Sequence, residues 1–246
     1  MTHPSETPRT SQAGHHRGPH PGALAIVYMV LFLAGLSFVV SFTSPVHFPG
    51  PSAAADTMVA YFQAQSRAVL MCAFLQFGSA IPLGIFTACI ASRLQYLGVR
   101  AAGPSIAMFG GFLTAFDILS NSHILWAMTY PGIAQDPALL RALYFLSFGF
   151  GGPGFSVPMG LLIAGISVSA GFAKLLPRWL VVVGLLLAAC GELSWVNMVV
   201  PQALFLIPLT RFPGFLWLIA VGFMLPSTAK RRLEPQVGGQ AERALA

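Results

Sequence analysis

The chain has 246 residues, of which 56% are hydrophobic and only 8% are charged, and its formal net charge is +6. About 25% of the residues of an ordinary soluble domain are charged, so this composition excludes a soluble protein and indicates an integral membrane protein. The basic residues are scattered over the ends of apolar segments rather than gathered on one face. We therefore expect a lipid bilayer, and no nucleic acid, as the surroundings of this chain.

Six apolar segments are each long enough to cross a bilayer core, which needs about 20 residues. They predict an all-α membrane helix bundle with spans at about 23–42, 68–91, 101–127, 142–173, 179–200 and 212–227. The polar stretches 1–22 and 230–246 predict disordered tails on either side of a membrane domain at 23–229. The first segment is longer than a signal-peptide core of about 7–15 residues, so we expect it to be retained.

Two connections between spans have their own patterns. Residues 43–66 form the longest predicted loop, in which Asp56 predicts the N-cap of a short interfacial helix. Residues 201–211 are unusually apolar for a loop, and we expect them to lie in the membrane interface or to re-enter it. Pro213 then predicts the first turn of span six.

The middle of span four is rich in glycine and proline, with the sequence GFGGPGFSVPMG at 149–160. These residues remove side-chain volume and a backbone donor at mid-membrane depth, which hydrocarbon tolerates only where other helices or water cover the backbone. We therefore expect span four to lie inside the bundle, with close helix packing at Gly160 and Gly165. The predicted hinge consists of Gly149, Gly151, Gly152, Pro153 and Gly154.

The distribution of lysine and arginine predicts the orientation. Ten basic residues flank one set of span ends: Arg9, Arg17, Arg93, Arg100, Lys174, Arg178, Lys230, Arg231, Arg232 and Arg243. The other set has three, Arg67, Arg141 and Arg211, at the starts of spans two, four and six. Because cytoplasmic loops carry the excess of positive charge, both termini are predicted to be cytoplasmic.

Polar side chains within the spans predict a site. Span two carries Gln76, and spans three and five carry Asp117, Asn121, His123, Glu192 and Asn197. A carboxylate at the bilayer centre costs about 2.5–3.5 kcal/mol on insertion scales, so it normally faces the bundle interior with a partner. We predict an outward-facing polar pocket formed by these residues with Arg67, Arg141 and Arg211. Alternatively, the two acids are neutral or paired with these arginines, and only fix helix packing.

Three kinds of catalytic site find little support. A haem site needs paired histidines, and only His123 lies within a span. A zinc site needs several ligands at suitable spacing, which the sequence lacks. Ser156 in GFSV resembles the rhomboid-protease nucleophile in Gly-x-Ser-Gly, but Val157 replaces the second glycine and span six has no histidine base. We expect no cofactor, no metal and no catalytic residue.

Four stretches resemble a family of small bacterial membrane proteins of about six spans: FLQFGSAIPLGIFTA (Phe74 to Ala88), LSFGFGGPGFSVPMGLLIAGISV (Leu146 to Val168), LPRWL (Leu176 to Leu180) and PLTRFPGFLWLIAVGFMLP (Pro208 to Pro226). The resemblance implies a multi-pass protein of the bacterial cytoplasmic (inner) membrane. It implies no activity, substrate or catalytic residue.

Together these patterns favour a non-enzymatic inner-membrane protein whose outward-facing pocket binds or passes a small solute, an ion or a lipid. The alternative is a structural or regulatory subunit that acts through a membrane protein partner or as a homo-oligomer. A membrane enzyme is the third possibility. The first of these predicts that water reaches Asp117 and Glu192, whereas the second predicts a partner that is recovered with the protein.

Overall fold

A computed structural model describes residues 18–40 and 47–228, and these residues form helices without any β-strand. Of the predicted tails, residues 1–17 and 230–246 lie outside the described part of the chain. Residues 21 and 22, assigned by the sequence to the first tail, belong to the first helix. Six helical segments are long and apolar enough to cross a membrane, as the sequence predicts. The chain is therefore a multi-pass membrane protein.

The helices follow one another as α1 (Pro21–Val39), α2 (Ala55–Ala64), α3 (Ser66–Tyr96), α4 (Gly103–Ala127), α5 (Pro131–Ala134), α6 (Pro137–Gly149), α7 (Phe155–Phe172), α8 (Arg178–Leu193) and α9 (Leu206–Met224). A π-helical turn, Phe150–Gly154, joins α6 to α7, so that Pro137–Phe172 is one continuous span. Two 3-10 turns, Ser194–Met198 and Pro201–Phe205, lie between α8 and α9. We refer to the end of the bundle with α2, α5 and these 3-10 turns as the α2 end.

Span four begins earlier than predicted, at Pro137 rather than at residue 142. The reason is a strong helix start: the Asp136 carboxylate accepts hydrogen bonds from the backbone N–H groups of Ala138 and Leu139, at 3.0 and 3.1 Å. Proline at the first helical position needs no donor there. Asp56 was the predicted cap of α2, but Ala54 occupies that position and Asp56 lies in the first turn.

The sixth span also begins earlier, at Pro201 instead of residue 212. The apolar stretch 201–211 is helical, with a 3-10 turn followed by the start of α9. Pro213 therefore lies inside α9 rather than in its first turn. Arg211, which the sequence places at the outer start of the span, lies near the middle of Pro201–Met224.

Helix α7 occupies the interior of the bundle. The six spans form a closed ring in which α1 contacts α3, α3 contacts α4, α4 contacts α7, α7 contacts α8, α8 contacts α9, and α9 returns to α1. Helix α7 also contacts α3 and α9 across this ring. In its most apolar 18-residue stretch, 67% of the residues of span four are buried, against 50% or less in every other span. Span four is thus the most buried of the six spans, as its glycine-rich sequence predicts.

Glycines bring the backbone of α7 against its neighbours. A Cβ atom placed on Gly165 would lie 2.6 Å from the backbone nitrogen of Ala107 in α4. One on Gly191 of α8 would lie 2.9 Å from the Cα atom of Gly160. Such distances leave no room for a side chain, so the packing predicted at Gly160 and Gly165 is confirmed. In a membrane, where apolar burial drives helix association only weakly, this close approach supplies much of the attraction.

An aromatic cap covers the α2 end. The ring of Phe48 lies 5.5 Å from Tyr61 and 5.9 Å from Phe62, both of α2, and stacks on Tyr144 of α6 at 6.0 Å. The Tyr144 hydroxyl donates a 2.6 Å hydrogen bond to the carbonyl oxygen of Pro49, which ties the preceding loop to span four. Burial raises the pKa of the Tyr61 phenol to about 12, so this ring remains neutral. The cap is therefore an uncharged lid over the interior of the bundle.

Candidate functional site

A cavity of about 180 Å³ lies beneath the aromatic cap, towards the α2 end of the bundle. Its walls come from α1, α3, α4, α6, the π-helical turn, α7 and α9. Most of the lining is aliphatic or aromatic, and the polar groups are few. An apolar pocket with a small number of convergent polar side chains is the usual form of a small-molecule site.

Three polar side chains from three spans are linked on the cavity wall. The Ser147 hydroxyl of α6 donates a 2.6 Å hydrogen bond to Asn121 Oδ1 of α4. Asn121 Nδ2 in turn donates to Gln76 Oε1 of α3, at 3.4 Å. Gln76 and Ser147 are buried and Asn121 is partly buried. The chain of bonds gives each of the three side chains a partner at a depth where an unpaired polar group would be costly.

Arg211 lines the same cavity from α9. Its guanidinium donates a hydrogen bond to the carbonyl oxygen of Gly151 in the π-helical turn. The guanidinium carbon also lies 4.4 Å from the centre of the Phe155 ring and 5.6 Å from that of Phe32. Its Nε atom is buried and has no hydrogen-bond partner among the described residues. Arg211 is therefore held by a carbonyl dipole and two aromatic faces, with donor capacity left over.

The predicted hinge forms the wall between Arg211 and α4. A Cβ on Gly151 would lie 3.1 Å from Asn121 Oδ1, and one on Gly154 would lie 2.7 Å from the carbonyl oxygen of Gly149. The π-helical turn thus depends on glycine at Gly154, where the chain approaches its own previous turn. Pro153 has no N–H to place in the helical ladder, and π-turns accommodate such interruptions. Whether this segment moves stays a prediction.

Asp117 lies close to the cavity but does not line it. It is buried, with 6% of its surface exposed, and its Cγ atom is 3.7 Å from the position of a Cβ on Gly154. Asn121 lies one turn further along α4 on the same face, as their spacing predicts. In the described part of the chain, no ion pair joins Asp117 to Arg67, Arg141 or Arg211. The described residues therefore do not form the alternative arrangement, in which an arginine pairs with Asp117.

Glu192 and Asn197 lie on the other side of α7. Helix α7 stands between α4 and α8, and Glu192 Oε1 is 3.1 Å from the position of a Cβ on Gly160. This oxygen, Ser156 Oγ and both side-chain amide atoms of Asn197 are buried without hydrogen-bond partners among residues 18–40 and 47–228. Because α7 separates them, the structure does not bring Asp117 and Glu192 together. It also gives Glu192 and Asn197 no place on the cavity wall.

The three remaining predicted residues point away from the cavity. Arg67 and Arg141 are exposed, and the Arg141 guanidinium lies over the Phe145 ring at 5.8 Å. His123 is exposed as well, with its ring 5.1 Å from that of Phe77 on the outer surface of α3 and α4. His123 is two residues from Asn121, a rotation of about 200° at 3.6 residues per turn, which places it on the opposite face.

Several residues of the cavity were not predicted from the sequence. Ser147 completes the polar chain, Cys72 lines the wall beside Gln76, and Phe32, Phe48 and Phe155 supply aromatic surface. Ser147 had a usable signal, because it is a hydroxyl residue within an apolar span just before the glycine-rich turn. The phenylalanines had none, since a chain with 20 of them offers no pattern that separates wall from lipid-facing positions.

No group of three or more histidine, cysteine, aspartate or glutamate residues that could hold a metal ion occurs in the described part of the chain. Comparison of the chain with protein-family models, with curated proteins and with solved structures finds no match.

Proposed function

We propose that this protein binds a small solute in the cavity beneath the aromatic cap. The observation that supports the proposal is the convergence of four polar side chains, Gln76, Asn121, Ser147 and Arg211, from four spans onto one cavity within a membrane-length bundle. Intramembrane polar and charged residues are expensive to insert and mark solute or ion pathways more often than chance. Hydrogen bonding to a solute in the cavity would account for these polar side chains, whereas packing alone would not.

The α2 end faces the outside of the cell in this proposal. With Arg211 inside the membrane, the basic residues at the α2 end are Arg67 and Arg141, whereas Arg93, Arg100, Lys174 and Arg178 lie at the opposite end. Six further basic residues precede α1 or follow α9 in the sequence. This asymmetry is typical of a protein with both termini in the cytoplasm. The resemblance to small bacterial six-span proteins supports the cytoplasmic membrane of a bacterium as the location. The cavity would then receive its solute from outside.

Passage of the solute across the membrane would need a second opening. A hydrophobic core that includes Phe86, Ile90 and Leu162 fills the bundle towards the opposite end. The π-helical turn is the place where the backbone of span four departs from regular helix, and discontinuous helices of this kind mark the moving parts of many transporters. Binding of a solute in the cavity needs no movement of the protein, whereas transport would require the π-helical turn to move.

Thiol labelling tests whether the cavity is open. In a background in which Cys72, Cys89 and Cys190 are replaced by alanine, Ser147→Cys and Ser156→Cys form a matched pair on one span. Ser147 lines the cavity, whereas Ser156 of α7 is fully buried inside the bundle. A small membrane-impermeant thiol reagent added outside intact cells should label Ser147→Cys and leave Ser156→Cys unlabelled.

The outcomes separate the proposal from its alternatives. If neither cysteine reacts in folded protein, the cavity is closed to the outside, and a structural or regulatory subunit that acts through a partner becomes the better account. If both react equally, the reagent also reaches buried positions of the bundle, and the cavity is not distinguished from them. If Ser147→Cys reacts only in inverted vesicles, the predicted orientation is wrong.

A further inference from the structure

We infer that the ligand of this cavity is a compact monocarboxylate, a solute with one carboxylate and a small apolar or aromatic body. The inference rests on the proposed function and specifies its substrate class. It depends on three features of the cavity: the charge on its wall, the balance of hydrogen-bond donors and acceptors, and the surface of its other walls.

Arg211 is the one charged side chain on the cavity wall among the described residues. Its contacts with the Gly151 carbonyl and with Phe32 and Phe155 stabilise the guanidinium but supply no negative charge. Asp117 lies on α4, one turn from Asn121, and forms no ion pair with Arg211. A charge at this depth is normally paired. The missing counter-charge is therefore best supplied by a ligand that enters the cavity.

The hydrogen-bonding capacity of the cavity points to an acceptor ligand. The amide oxygens of Asn121 and Gln76 already accept bonds, from Ser147 and from Asn121. Gln76 Nε2 has no acceptor among the described residues, and Arg211 uses only part of its five-donor guanidinium. Unused donors thus outnumber the lone pairs left on the two amide oxygens and the Ser147 hydroxyl, and they include the one charged group of the cavity wall. A carboxylate accepts only, and the planar fork of arginine matches its two oxygens.

The other walls favour an apolar body attached to that carboxylate. Rings from Phe32, Phe48 and Phe155 and side chains from Leu36 and Leu125 face the cavity. A bare inorganic anion would leave this surface without a partner. A phosphate would also bring about 1.5–2 negative charges and three acceptor oxygens to a wall with a single cation. A carboxylate with a short or ring-shaped apolar group satisfies both the cation and the apolar walls, and a volume of about 180 Å³ suits a compact one.

Binding of benzoate and of its neutral counterpart benzamide to the purified full-length protein tests the inference by isothermal titration calorimetry at neutral pH. Wild type should bind benzoate at least about tenfold more tightly than benzamide, because a hydrogen bond to a charged group contributes at least about that factor. Arg211→Gln should lose this preference. Arg141→Gln, which removes a cation at the α2 end outside the cavity, should retain it.

A second variant guards against misfolding of Arg211→Gln. Gln76→Glu keeps Arg211 and the shape of the wall but adds a negative charge to the cavity. It should weaken benzoate about tenfold or more, by repulsion and by pairing with Arg211, and should change benzamide binding much less. If Gln76→Glu weakens both compounds equally, or neither, recognition of an anion is overturned.

The remaining outcomes distinguish this inference from the proposed function. Equal binding of benzoate and benzamide to wild type overturns the carboxylate class and leaves solute binding in place. Absence of binding by either compound, while Ser147→Cys is labelled, also overturns the class and leaves an open pocket. Absence of both binding and labelling defeats the proposed function itself. Binding of decanoate but not of benzoate would mean that the acid comes from a lipid chain, and would overturn the compact solute.

Discussion

The two sides of α7 treat buried polar groups in different ways. On the side of α3, α4 and α6, Ser147, Asn121 and Gln76 are hydrogen-bonded to one another around a cavity. On the side of α8, Glu192 and Asn197 have buried atoms without hydrogen-bond partners among the described residues, and neither side chain lines the cavity. Polar residues in a span therefore do not by themselves locate a site. The two sides differ in whether their polar side chains are hydrogen-bonded to one another and line one cavity.

The largest expected effect on stability is at the contact between α7 and α8. Gly191→Ala would place a Cβ atom 2.7 Å from the Ser156 carbonyl oxygen and 2.9 Å from the Gly160 Cα atom, both of them backbone. Because neither atom can rotate away, we expect a loss of about 2–3 kcal/mol in unfolding free energy, the upper part of the range for overpacking. Reversible unfolding in detergent or bicelles measures it.

Two glycines act as controls for that change. At Gly151 the nearest atom to a new Cβ is Asn121 Oδ1, a side-chain atom at 3.1 Å, so Gly151→Ala should cost about 1 kcal/mol or less. Gly78 in α3 has nothing within 4 Å of that position, and Gly78→Ala should be neutral or stabilising by up to about 1 kcal/mol. If Gly191→Ala is as mild as Gly78→Ala, the backbones of α7 and α8 are not in close contact at Gly191.

A matched pair of asparagines sharpens the comparison of hydrogen bonding. Asn121→Leu removes the central member of the polar chain and leaves Ser147 and Gln76 without their partners. We expect a loss of about 1–2 kcal/mol in unfolding free energy, because each bond in a membrane bundle contributes roughly 0.6 and at most about 1.7 kcal/mol. Asn197→Leu removes no bond formed within the described residues and should cost less than half of this. The reverse order would contradict the account.

The two acids are expected to have smaller effects on stability. Asp117→Asn and Glu192→Gln keep the shape of the side chain and remove no ion pair that the described residues form. Both variants should unfold within about 0.5 kcal/mol of wild type or be more stable, as usual where a residue is not retained for stability. A loss of about 3 kcal/mol or more in either variant would reveal a buried pair that lost a partner.

The smallest expected effect is at His123. This side chain is exposed on the outer surface of α4 against Phe77. His123→Gln should change unfolding free energy by no more than about 0.5 kcal/mol and should leave benzoate binding unchanged. Detectable weakening of benzoate binding in this variant would mean that the site extends to the lipid-facing side of α4.

The sequence predicted the architecture because length and hydropathy alone decide whether a segment can cross a membrane. Two span starts could not be placed in this way. For span four, the charge of Arg141 suggested a start at residue 142, but the Asp136–Pro137 cap begins the helix at Pro137. For span six, the charge of Arg211 suggested a boundary, but the guanidinium is accommodated inside the bundle by the Gly151 carbonyl and two rings. A charged residue marks the end of a span only if nothing in the protein solvates it.

Gln76, Asn121 and Arg211 were predicted for the site and do converge on the cavity, whereas Glu192 and Asn197 do not. Spans that are apolar on most of their surface carry little periodic information about which face points inwards. Which side of α7 each polar residue faces was therefore not readable from the sequence. The spacing of Asn121 and His123 is an exception, because residues two positions apart on a helix do not share a face.

A crystal structure grown with 4-iodobenzoate would show directly whether a carboxylate binds Arg211 and Gln76 in the cavity, beside the rings of Phe32 and Phe155. The anomalous signal of iodine locates the ligand without reference to the protein. We expect one iodine within the cavity beneath Phe48, with the carboxylate oxygens in hydrogen-bond contact with Arg211 and Gln76. Iodine found only at the lipid-facing surface, or between α7 and α8 beside Glu192, would contradict it.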